Sequence, residues 1–497
     1  MYTFFNTKTG EHAAGGSCST HFLSRHWISP TLLPFSLGLK QEREISTSSV
    51  GGQGSDLGVQ MLQQVALLRP RQNLLVSPHG VASVLGLLLL GAGGDTGQQI
   101  LTALRYEAAS GLDETLGDLH RSLDKSGQGA TVTVSSGLFA QKGLEMKVPF
   151  LSAIRRAFRC ESRNLNFANR VSAARTINVW IRDRTNGKIS TLVRPDMLDG
   201  ALTRLVAVNA IYFKGLWKSR FRREDTKMGK FTTGDGSEHE VPMMSQVSVL
   251  NTVKKRGSLL SLVCLRTISL RFMDGSSLYI LVTNPERRVV KNQRGQKEGA
   301  QTPGTASTPA GLRYSVIELP YHGDAHSMLI AVPPVGTPLS ALLPHVGVAA
   351  VRRWAELLSP SLVPLSLPRF SVEAELDMKI PLLALNVTDI FDQHKADFRH
   401  ICTEPLYVSK AVQRAKMEVN EDGTKASVAT ASVLLTRSSP PPVTIDRPFL
   451  FLIRHNPTGT LLFMGLINDP LAPCQTTPEL ELPVFPPQTP KIKIKIK

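Results

Sequence analysis

The sequence predicts an α+β fold, and three observations carry that reading. Segments with helical spacing (Val59–Leu68, Val81–Leu90) occur beside long runs rich in valine, alanine and aromatics (Thr131–Ala140, Leu205–Phe213). These helices and strands mix without forming a regular strand–helix–strand array. The composition is that of a folded soluble chain: 497 residues, 42% hydrophobic and 20% charged. No apolar run reaches the roughly 18 uncharged residues of a membrane-spanning helix.

The elements follow in order. Residues 1–51 show no clear periodicity and are rich in Ser, Thr and Gly, which predicts a disordered N-terminal segment. Within them Trp27–Leu39 is mildly apolar. Two prolines interrupt it, and it lies too far from Met1 for a standard secretory signal. A folded domain is expected over 52–470. Val59–Leu68 has helical spacing, and Asn73–Val76 reads as a short strand. Ser77-Pro78 then opens a fully apolar helix, with serine as the cap and proline in the first turn. Asn178–Ile181 continues a helix that stops near Asn186-Gly187. Val316–Leu319 and Ser327–Val332 read as strands on either side of a turn at His322-Gly323.

Residues 254–310 break this texture. Positions 254–299 hold ten basic and three acidic residues, and a Gly/Thr/Pro run follows. A structureless loop of this length is uncommon inside a domain, so it reads as a basic, unstructured insertion. The tail 471–497 ends in alternating Lys and Ile and reads as a solvated, low-complexity segment. The insertion, the tail and the N-terminal segment carry more than half of the net charge of +17. Such a charge favours loose contact with polyanions.

Enzyme signatures are missing. There is no G-x-S-x-G elbow, and His239-Glu240 lacks the second histidine of a zinc helix. Gly187-Lys188 has no glycine five residues earlier, so it is not a phosphate loop. The five cysteines share no metal-like spacing, so no metal is expected.

The segment that carries chemistry is Glu421–Pro442, EDGTKASVATASVLLTRSSPPP. After the Glu421-Asp422-Gly423 turn come small, β-compatible residues with Lys425 as the only charge before Arg437. Alternate positions Thr424, Ala426, Val428, Thr430, Ser432 and Leu434 share one face of a strand. None is charged, so that face fits the interior of a sheet. An unpaired strand of this kind is an aggregation hazard unless something uses it.

Here the chain strongly resembles the serpins, and among them the nexin branch. The resemblance rests on Asn73–Gly91 (NLLVSPHGVASVLGLLLLG), Asn178–Ile181 (NVWI), Leu205–Phe221 (LVAVNAIYFKGLWKSRF), Glu318–Gly323 (ELPYHG), Glu421–Ser427 and Asp446–Pro470 (DRPFLFLIRHNPTGTLLFMGLINDP). It implies about nine helices around three β-sheets, with an exposed reactive-centre loop. Counting Glu421 as the first residue, the family's bait falls on the seventeenth, Arg437, and the bond at risk is Arg437–Ser438. The resemblance makes Glu421, Gly423, Thr424 and Ala426 the hinge. It assigns Asn73, Ser77, Pro78 and Asn209 to the shutter beneath the central sheet, and Trp217 to the breach where the loop enters.

The activity so implied is suicide inhibition of trypsin-like serine proteases, such as thrombin, plasmin or plasminogen activators. The inhibitor would be a secreted monomer that forms a covalent acyl complex and needs no cofactor, nucleic acid or membrane. The alternative is a non-inhibitory carrier or polyanion-binding serpin. Asn386-Val387-Thr388 has the pattern of a glycan acceptor. The nexin branch binds heparin through a lysine-rich helix. The matching stretch here, Leu112–Gly129, carries Asp113, Glu114, Asp118 and Asp124 against Arg121 and Lys125, which argues against glycosaminoglycan acceleration there.

Overall fold

A computed structural model describes residues 47–106, 111–125, 129–253, 266–271, 277–282, 305–307, 313–421 and 442–472. Nine α-helices and two large sheets are found among them. Residues 1–46 of the N-terminal segment 1–51 and residues 473–497 of the tail 471–497 lie outside the described residues, while positions 47–51, expected to be disordered, open a helix.

The first helix, α1 (Thr47–Leu68), starts twelve residues before the apolar spacing that announces it at Val59. Its early glycines hide it, because glycine is a poor helix former. Those glycines have a packing reason. A Cβ on Gly58 would lie 2.2 Å from Pro78 Cα, and one on Gly54 would lie 2.8 Å from Ala82 Cβ. They let α1 press against the second helix, α2 (Pro78–Leu89), which is buried along its whole length. Ser77 caps α2 by accepting a hydrogen bond from Gly80 N, with Pro78 in the first turn.

The central sheet has five strands. They are β1 (Ala130–Gln141), β2 (Glu161–Leu165), β3 (Leu205–Gly215), β4 (Phe370–Asp377) and β5 (Val408–Val419), in the order β4-β5-β3-β1-β2. Two seams are antiparallel, β4 with β5 and β3 with β1. The seam between β5 and β3 is parallel, running from Val408 opposite Leu205 to Met417 opposite Phe213. Leu205–Phe213 is buried throughout, so β3 is covered on both faces.

The other two expected sheets run together into one ten-stranded sheet, because the long strand Glu238–Val253 is shared. It pairs with Lys227–Thr232, with Leu358–Pro368 and, at its end, with Arg313–Pro320. The turn predicted at His322-Gly323 is present, with Gly323 and Asp324 both at positive φ. α2 packs against both β3 and the strand Leu461–Ile467, while elsewhere the two sheets touch directly, with the rings of Phe213 and Phe463 5.9 Å apart.

The stretch read as an unstructured insertion is regular in part. Arg266–Arg271 and Ser277–Val282 form an antiparallel two-stranded sheet. Thr305–Ser307 folds back onto Arg313–Ser315, so the ten-stranded sheet takes up the chain again before residue 310. No helix among the described residues is long and apolar enough to cross a membrane.

Candidate functional site

The parallel seam between β5 and β3 is the organising feature. Beneath its middle sits a buried polar cluster. Gln413 on β5 faces Asn209 on β3, and both are at most 1% exposed. Gln413 Oε1 accepts from Ser77 N at 2.8 Å, and its Nε2 donates to Ser77 O at 3.0 Å. Ser77 Oγ donates to Leu462 O at 2.6 Å while it caps α2. Asn209 Nδ2 donates to Ser136 Oγ on β1 at 3.0 Å. The contact that crosses the seam, Gln413 Nε2 to Asn209 Oδ1, is the longest at 3.5 Å. A bond of that length is weak, whereas those to Ser77 are of normal length.

The structure therefore brings Ser77, Pro78 and Asn209 together, and adds Gln413, Ser136 and Gly80. Gln413 is hard to single out from sequence, because Lys410, Arg414, Lys416 and Glu418 make its strand look polar and half-exposed. Asn73 has a different setting. It donates to Asp469 O at 2.6 Å and Ala472 O at 2.9 Å, and accepts from Asn468 N and Asp469 N. Its bonds fasten the end of the last strand of the ten-stranded sheet.

At the upper end of β5 the chain reaches Glu421, which is 7% exposed. Its carboxylate accepts from Thr226 Oγ1 at 2.9 Å and lies 3.5 Å from Arg369 Nη1. One residue earlier, Asn420 O accepts from Trp217 Nε1 at 2.9 Å. Trp217 is buried and stacks on Tyr321 at 4.5 Å with only 11° between the rings. The last described turn before the loop is thus held by a carboxylate and an indole. Gly423, Thr424, Ala426, Arg437 and Ser438 lie outside the described residues. At 442 the chain is described again, and Val443–Thr444 pairs with Leu365-Ser366.

Asn386 is exposed and adopts positive φ just past the helix Lys379–Ala384. Asparagine tolerates that conformation, so a capping role also accounts for it. Among the described residues no cluster of His, Cys, Asp or Glu could hold a metal. Cys160 and Cys402 are buried free thiols, and burial pushes Cys160 up to about 12, which leaves it unreactive.

The chain is similar to proteins of one family along most of its length. The profile described as "Serpin (serine protease inhibitor)" matches residues 53–291 and 301–470. The match resumes at 301, inside the stretch read as insertion and just before the paired segment Thr305–Ser307. Glia-derived nexin of Mus musculus is 42% identical over 419 residues, which cover 84% of this chain and 92% of that protein. Plasminogen activator inhibitor 1 of Bos taurus is 35% identical over 426 residues, covering 85% of this chain and 93% of that protein. Among solved structures, native protease nexin-1 with heparin superimposes with a TM-score of 0.71 at 40% identity, over 86% of this chain and all of that one. Uncleaved ovalbumin, at 23% identity and a TM-score of 0.69, shares the fold. On the family profile, the shared length and the common architecture, the chain belongs to the serpin family of serine protease inhibitors.

Proposed function

We propose that this chain inhibits trypsin-like serine proteases as a suicide substrate, through cleavage of Arg437–Ser438 and insertion of the cut loop between β3 and β5. The observation that carries the reading is the parallel seam. The loop leaves the sheet at the end of β5. A strand that folds back beside β5 runs antiparallel to it, and because β3 is parallel to β5 it is antiparallel to β3 as well. One parallel seam is exchanged for two antiparallel ones, the more stable pairing per residue. The backbone ladder of that seam has to open, and at its middle the side-chain contact between Gln413 and Asn209 is weak.

Arginine suits the aspartate at the base of a trypsin-like specificity pocket. The protease serine Oγ attacks the Arg437 carbonyl. The amide bond to Ser438 breaks, its nitrogen takes the proton, and an ester joins Arg437 to the protease. Serpin loops enter β-sheets in this way. The fourteen residues Thr424–Arg437 span about 46 Å as a strand, and the esterified protease travels with their end. Roughly ten new ladder bonds contribute on the order of 10 kcal/mol, comparable to the stability of a domain. A protease dragged that far is deformed at its oxyanion hole, and deacylation stalls.

The proposed partners include thrombin, plasmin and plasminogen activators, each bound by one inhibitor monomer. No cofactor is needed. The solved nexin structure contains heparin. Here the helix Leu112–Lys125 holds Asp113 against Arg156 at 2.5 Å and Asp118 against Arg121, with Glu114 exposed. Heparin acceleration through this helix is therefore not part of the proposal. Action outside the cell follows from the family resemblance. Mixing the full chain with thrombin tests the reading: a complex that survives a denaturing gel is expected. Cleavage at Arg437 with release of active thrombin would leave a substrate-like serpin and overturn it.

A further inference from the structure

The C-terminal end of α1 borders a second feature of the fold. The helix ends at Leu68, and Arg69 follows with its backbone N–H still bonded to Val65 O. Arg69 is only 9% exposed. Its Nη2 is sealed from solvent and has no hydrogen-bond partner, and no ion pair to this guanidinium exists among the described residues. Desolvation lowers its pKa from the ordinary arginine value. A buried guanidinium without a counter-charge is costly, and folded proteins rarely tolerate one.

Arg69 lines a cavity of about 900 Å³, within the range of small-molecule sites. Much of the wall is apolar, from Pro333, Val335, Pro338, Leu339 and Leu343. Two carboxylates line it as well, but both are engaged elsewhere. Asp235 accepts from Thr233 Oγ1 and from Ser237 N and Oγ, and Asp446 pairs with Arg447 at 2.7 Å. Arg447 also donates to Pro333 O at 2.9 Å. Arg71 and Arg447 line the wall too, but Arg69 alone among these cations is buried with a guanidinium nitrogen, Nη2, that has no partner.

We propose that this cavity binds a small organic anion, an apolar body bearing one carboxylate, with the carboxylate on the Arg69 guanidinium. A carboxylate that reaches the edge of the guanidinium lining the cavity forms a charge-assisted hydrogen bond, and the low local dielectric strengthens it. The inference does not depend on the inhibitory reading, since none of the described residues that line the cavity belongs to Glu421–Pro442.

Calorimetry on the full-length chain with 2-naphthoate and its uncharged counterpart 2-naphthamide tests it. Saturable binding of naphthoate is expected, with naphthamide weaker by about tenfold or more. Arg69→Met removes the buried cation, so it is expected to fold with an unchanged or higher Tm and to bind the two probes equally. Val335 is 83% exposed at the cavity. Val335→Trp leaves the core intact, and weaker binding of both probes is expected. Equal affinities for the two probes in the natural chain, an undiminished preference for naphthoate in Arg69→Met, or no saturable binding would each overturn the site. If Arg69→Met fails to fold, the probe pair and Val335→Trp still decide.

Discussion

A methyl group at position 80 would lie 2.1 Å from Asn209 Oδ1 and 2.5 Å from Gln413 Nε2. Both neighbours are buried and hydrogen-bonded, so neither can move aside freely. Gly80→Ala is expected to cost about 1–3 kcal/mol, seen as a lower Tm, with the seam between β3 and β5 easier to open. Native gels after mild warming would then show more inactive or self-associated protein. Trp217→Phe keeps the stack on Tyr321 but removes the donor to Asn420 O. A loss of about 1 kcal/mol is expected from denaturant midpoints; an unchanged midpoint would mean that the indole bond contributes nothing. The cap at Ser77-Pro78 was legible in the sequence because its partner lies three residues on. Gln413 was not, because its partner Ser77 is 336 residues away.

At the scale of elements, one strand of the proposed mechanism has to be accepted by two others. Proline has no N–H for a ladder and fixes its own φ. Ala426→Pro is therefore expected to leave thrombin cleavage at Arg437 intact and to abolish the stable complex, so that inhibitor becomes substrate. A denaturing gel separates the two products. The basic stretch makes the opposite prediction. Deleting 255–299 leaves Thr305–Ser307 free to pair with Arg313–Ser315, so inhibition is expected to be unchanged or improved; its loss would assign the stretch a function. Strands such as β3 were readable from continuous apolar sequence. The first turns of α1 were not, since glycines chosen for close approach to α2 look like loop.

For the molecule as a whole, buried histidines set the response to acid. His326 and His455 stand 5.2 Å apart, and His79 stands 4.9 Å from His120. Burial pushes His326 down to about 4, helped by His455, and pushes His455 down to about 4, helped by Arg454. Burial holds His79 well below the ordinary 6.5, with His120 and His455 adding to it. The rings of His79, His326 and His455 are neutral in the folded chain. Above pH 6.5 the unfolded chain is neutral at them too, and stability is complete. Below it the unfolded chain takes up protons that the folded one refuses, so stability falls between about pH 6.5 and pH 4. Tm is expected to drop across that window, with a shallower drop in His326→Gln; a flat profile would contradict the neutral assignment. Loop insertion adds a second whole-molecule test. Cleavage after Arg437 is expected to raise Tm by tens of degrees, given a gain on the order of 10 kcal/mol.

The sequence by itself determined the α+β class, the family resemblance and the cap of α2, and through that resemblance it supplied the count on which the proposal of Arg437 rests. Each depends on local spacing or on the order of residues along the chain. Only the tertiary structure decided that β3 and β5 lie side by side and parallel, that Gln413 binds both backbone groups of Ser77, and that Arg69 is buried beside a cavity without a counter-ion among the described residues. Those facts depend on contacts between residues hundreds of positions apart, and burial gives a side chain its energetic meaning only once those distant segments have packed around it.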